Sequence, residues 1–102
     1  MPRSFQTVIL TGAKRYVAGI PKVDRGAILR GIEVLAVGNL EEAHTKQLRG
    51  PIRELITGHH RLTYFKLNST IYFVSGFRKK STKTPKQGIE YAEAVLLRIK
   101  EL

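Results

Sequence analysis

Between Ile52 and Phe77 the hydrophobic pattern runs in three short stretches: Ile52 to Thr57, His59 to Leu67 and Thr70 to Phe77. All three are rich in Ile, Leu, Tyr, Phe, Val and Thr. Gly58 separates the first pair and Asn68-Ser69 the second. Short β-rich runs divided by such residues are hairpin signals, so the pattern predicts an antiparallel meander. On either side the apolar period becomes helical. Ile28, Leu29, Ile32, Leu35 and Ala36 mark a helix from about Val23 to Val37, stopped by Gly38-Asn39. Ile89, Ala92, Leu96 and Ile99 share one face of a final helix, for which Pro85 suits the first turn. Phe5 to Leu10 predicts an edge strand, and Lys14 to Ile20 a short helix ended by Gly19 and Pro21. Glu41 to Gly50 reads as a loop. The order is strand, helices, three strands, helix: an α+β domain with helices packed on one antiparallel sheet. The 102 residues fit one domain spanning 1–102.

The net charge is +10 and the isoelectric point about 10.3. A positive field of this size attracts polyanions, of which nucleic acid is the commonest. The charge is unevenly spread. All 8 acidic residues lie outside one window, because no Asp or Glu occurs between Glu54 and Glu90. That window holds Arg61, Lys66, Arg78, Lys79, Lys80, Lys83 and Lys86, with His59 and His60. One contiguous part of the fold is therefore expected to face an anion.

Other chemistries find little support. Without cysteine there is no disulfide framework, thiolate metal site or cysteine nucleophile. His44, His59 and His60 are the only histidines. Neighbours on a strand point to opposite faces, which sets His59 and His60 apart as metal ligands. No G-x-S-x-G, P-loop or G-x-G-x-x-G is present. No cofactor is implied. No apolar run approaches the ~20 residues of a membrane span, and the first apolar stretch is too short for a signal-peptide core. The expected location is the cytoplasm.

What remains is a cluster of cations and phenols: His59, His60, Arg61, Tyr64, Arg78, Lys79 and Lys80. RNA cleaves itself when its 2′-hydroxyl attacks the adjacent phosphate. The protein must take that proton, steady the added negative charge and protonate the leaving oxygen. Arg and Lys suit the charge, and His, Lys or Tyr the protons. Tyr64 and Phe65 could stack on splayed bases. Strand alternation puts His60, Leu62, Tyr64 and Lys66 on one face and Arg61, Thr63, Phe65 and Leu67 on the other. Structural roles compete at each position: Tyr64 as a core aromatic, Arg61 as a solvated strand residue, the histidines as surface groups. Lys79, Lys80, Lys83 and Lys86 read best as phosphate-positioning charges.

Three segments carry a family likeness: Leu48-Arg49-Gly50-Pro51-Ile52-Arg53-Glu54-Leu55, then His60-Arg61-Leu62-Thr63-Tyr64-Phe65, then Ile71 through Gly76-Phe77-Arg78-Lys79-Lys80 to Thr84-Pro85. Together they resemble the RelE/ParE toxin superfamily, most closely its phage-related, HigB-like branch. The likeness covers residues 48 to 100; the first half agrees in element order. It implies a RelE-like fold, with a helical hairpin against a twisted antiparallel sheet. It also implies a toxin of a type II toxin–antitoxin pair that cuts mRNA, often on the ribosome. Carried over by position, Arg61 matches a basic residue of the central strand, and Arg78, Lys79 and Lys80 a basic patch at the end of the last strand. Both are implied to hold the scissile phosphate, and Arg53 to face the groove. The C-terminal helix offers only Tyr91 where some members carry a Tyr or His acid or base, so His60 and Tyr64 stand as alternatives. The resemblance further implies an antitoxin partner of helix-turn-helix type. Two other readings are a ParE-like poison of DNA gyrase, which needs no proton-transfer residue, and a basic phage or ribosome-binding module without toxicity.

Overall fold

The computed structural model describes residues 4–39, 42–80 and 84–102. The elements are β1 (Gln6–Ile9), α1 (Thr11–Ala18), α2 (Lys22–Ala36), β2 (Thr45–Arg49), β3 (Ile52–Thr57), β4 (His60–Leu67), β5 (Thr70–Arg78) and α3 (Lys86–Lys100). The five strands form one sheet in the order β1-β5-β4-β3-β2. β1 runs parallel to β5, and every other pair is antiparallel. The meander is therefore as the sequence pattern predicts, and β1 takes an edge. The stretch expected to be a loop instead contains β2. Its exposed sequence Thr-Lys-Gln-Leu-Arg has only Leu48 to bury, which leaves almost no alternation to read. α1 also starts three residues before the predicted Lys14.

Both sheet faces are covered. One core joins Ala13 and Val17 of α1 and Ile28, Ile32 and Leu35 of α2 to Leu55, Leu62, Tyr64, Ile71 and Phe73. The other joins Ala92 and Leu96 of α3 to Ile52, Phe65 and Val74. Gly58, at φ +58°, makes the β3–β4 turn in a conformation that side chains resist.

One irregularity in the β4–β5 ladder determines which side chains reach the strand end. Thr63 pairs with Ser75 but Tyr64 pairs with Phe73, so Val74 is an extra residue on β5. Such a bulge resets which face each later side chain takes. Ile71 and Phe73 enter the α1–α2 core before it. After it, Gly76 and Arg78 take that face, opposite Leu62 and His60.

Candidate active site

His60 opens β4 and Arg78 closes β5, and the two are ladder partners. With Asp24, Thr57 and His59 they line a cleft of about 310 Å³ at the α2 end of the sheet. The His60 side chain is 7% exposed, and both ring nitrogens have partners. The Tyr16 hydroxyl of α1 lies 2.5 Å from Nδ1. Asp24 Oδ2, from the first turn of α2, lies 2.9 Å from Nε2. A carboxylate only accepts, so Nε2 carries the proton and donates to Asp24. In the neutral ring Nδ1 is then an acceptor, and the Tyr16 hydroxyl donates to it. A continuous chain of donors thus runs from phenol to imidazole to carboxylate.

Local sequence explains how three elements meet there. Gly19 and Pro21 end α1 and begin α2, which turns Tyr16 and Asp24 toward the same strand end. The Tyr16 ring lies on Gly76, where a Cβ would come within 2.5 Å of Tyr16 Cδ2 and 2.8 Å of Leu62 Cδ2. Only glycine admits the ring. The rings of Tyr16 and His60 meet edge-on, with centroids 5.6 Å apart. Burial pushes the Tyr16 phenol above its ordinary 10.0; the Arg78 charge opposes that shift and Asp24 adds to it.

The other residues singled out from sequence are spread over three places. Arg61 faces the α3 side. Its Nε lies 3.8 Å from Glu54 Oε1, and Lys79 Nζ lies 3.9 Å from the same oxygen. Glu54 is fully buried, and its Oε2 accepts 2.8 Å from Thr84 Oγ1. Among the described residues these distances give electrostatic pairing without a hydrogen bond at Glu54 Oε1 or Arg61 Nε. Tyr64 is buried in the α2-side core, roughly 13 Å along β4 from His60. Its hydroxyl accepts from Arg53 Nε at 3.4 Å, and Arg53 Nη2 donates to Thr45 Oγ1 at 3.1 Å. Those groups and Lys66 line a separate cleft of about 350 Å³. Lys66 sits 4.8 Å over the Phe5 ring. The expected single cluster is therefore corrected: the bulge and strand alternation bring His60, His59 and Arg78 together and send Arg61 and Tyr64 elsewhere. Lys80 and Lys86 are exposed, and Lys83 lies outside the described residues. Tyr91 projects 58% exposed from α3, across the sheet from His60. Sequence reading passed over Tyr16 and Asp24, because no local spacing links them to His60.

Two solved structures have this architecture. A chain of the archaeal RelE–RelB complex from Pyrococcus horikoshii superposes with a TM-score of 0.65 at 14% identity, over 74% of this chain and 94% of that one. A chain of the toxin–antitoxin complex RelBE2 from Mycobacterium tuberculosis gives 0.62 at 18%, over 74% and 99%. The fold is thus RelE-like, an α+β sheet with a helical pair on one face and a C-terminal helix on the other. Within that class the chain belongs to the phage-derived Gp49-like protein family, which matches residues 15–96. Among curated proteins no sequence matches.

Proposed function

We propose that the protein is the toxin of a type II toxin–antitoxin pair, of the HigB-like branch, and an endoribonuclease cutting mRNA on the ribosome through 2′-hydroxyl attack. The observation that carries this reading is that His60 and Arg78, partners in the β4–β5 ladder, line one cleft. Arg78 supplies a charge for the scissile phosphate, and His60 is a proton acceptor held in one tautomer by Asp24. Lys80, Lys86 and His59 are exposed nearby in sequence and position the RNA backbone. The RelE-like fold and the Gp49-like family support a toxin role. On this reading the chain is one domain, 1–102, acting in the cytoplasm. Its antitoxin is of helix-turn-helix type, with an acidic segment that covers the cleft.

Brief induction followed by mapping of transcript ends tests this. Cuts within translated messages are expected, with growth arrest that Arg78→Ala relieves while the protein stays folded. Unchanged toxicity in Arg78→Ala overturns the site. One observation favours a second reading, a ParE-like gyrase poison: Arg61 and Tyr64 are held by Glu54 and Arg53 rather than free for substrate. That reading predicts cleaved plasmid DNA and intact transcripts.

A further inference from the structure

We infer that Tyr16 is the catalytic group that takes the 2′-hydroxyl proton, with His60 and Asp24 as positioning residues behind it; this rests on the ribonuclease reading. His60 alone is poorly placed to touch substrate. Its side chain is almost fully enclosed, and both ring nitrogens are already engaged. The half-buried Tyr16 hydroxyl is the outer end of the donor chain. A phenol oxygen that donates its own proton still has a lone pair with which to accept another. The arrangement is that of a hydroxyl, imidazole and carboxylate triad, with a phenol in place of the alcohol.

The 2′-oxygen forms a bond to phosphorus as its proton passes to the Tyr16 oxygen. The Tyr16 proton passes to His60 Nδ1, and the resulting imidazolium is held against the Asp24 carboxylate. The bond from phosphorus to the 5′-oxygen breaks, water protonates that oxygen, and the His60 proton returns to the Tyr16 oxygen as that hydroxyl releases its own to the hydroxide left in solvent. The products are a 2′,3′-cyclic phosphate and a 5′-hydroxyl. Arg78 lies beside this chain, opposite His60, where it meets the charge on the phosphorane. Two independent features serve the seating of Tyr16. Gly76 is bare beneath its ring, and the β5 bulge turns Gly76 and Arg78 to that face.

The test uses the full chain, ribosomes programmed with a defined mRNA, and single-turnover cleavage. Tyr16→Phe keeps the ring and removes only the oxygen. Its rate at saturation is expected to fall about 100-fold or more, with the half-saturating concentration unchanged. Asp24→Asn, at a partly exposed position, is expected to lower that rate at least about tenfold by releasing the ring tautomer. Nitrogen-15 spectra should show the His60 proton on Nε2 in the parent protein and a tautomer mixture in Asp24→Asn, which a purely packing role would not produce. Wild-type cleavage rates in a folded Tyr16→Phe overturn the assignment while leaving the ribonuclease reading intact. Should Tyr16→Phe fail to fold, an undiminished rate in Asp24→Asn overturns it instead. A parent protein that cuts no RNA removes both.

Discussion

Gly76 and Glu54 show how single residues divide the work between chemistry and stability. Any side chain at 76 collides with Tyr16 and Leu62. Gly76→Ala is expected to cost about 1–3 kcal/mol by overpacking, measured by denaturant unfolding, and to lower cleavage by moving the phenol. Glu54 is buried between Arg61, Lys79 and Thr84. Glu54→Gln leaves two enclosed cations without their counter-charge and is expected to destabilise by about 3 kcal/mol. An Arg61→Ala effect on toxicity must therefore be compared with Glu54→Gln before it is read as chemistry. His60 and Arg78 were legible in the sequence as titratable and charged residues in an acid-free window. Tyr16 and Asp24 were not, because strands and helices far apart in the chain bring them to His60. Glu54 looked like the edge of that window, yet it folds onto the window's own cations.

At the scale of elements, the meander and the two long helices followed from period alone, since each buries a regular apolar set. β2 did not, because an edge strand with one apolar side chain carries no period. It is held to the rest by backbone pairing with β3 and by Arg49, whose Nη2 and Nε reach Glu93 of α3 at 2.5 and 3.1 Å. The hydrogen bond from Arg49 holds the Glu93 carboxyl below its ordinary 4.5. A lowered carboxyl favours the folded state above the ordinary value, and this contribution is lost as pH falls through the folded value. The pair is exposed, so the effect is modest. In thermal melts, Glu93→Gln is expected to lower Tm near neutral pH and to approach the parent as pH falls far enough to protonate the carboxyl in the folded as well as the unfolded state. The bulge was equally invisible: an extra residue in a run of β-formers changes no local preference, only which face comes next.

Across the whole molecule, the excess of +10 is narrower than it looks. Glu93 pairs with Arg49, Glu54 offsets one of the two charges on Arg61 and Lys79, and Lys66 leans over Phe5. Within the acid-free window, the exposed cations left to face a polyanion among the described residues are Lys66, Arg78, Lys80 and Lys86. Binding of single-stranded RNA should weaken steeply with salt, and Lys80→Ala or Lys86→Ala should each reduce the slope by roughly 0.7 without changing the cut position. Filter binding from low to moderate salt checks this; an unchanged slope in both variants places the RNA elsewhere.

The parallel pairing of β1 with β5 sets an order in time. Gln6 to Ile9 have no neighbour in the sheet until Thr70 to Phe73 exist. The same holds for Tyr16, which is seated on Gly76 and reaches a histidine of β4. A growing chain emerging from the ribosome holds its first strand and helix in waiting until almost the last strand has been made. On the ribonuclease reading proposed above, the cleft therefore stays unassembled until β5 has been made, and a partner that captures the incomplete chain would have most of synthesis in which to do so.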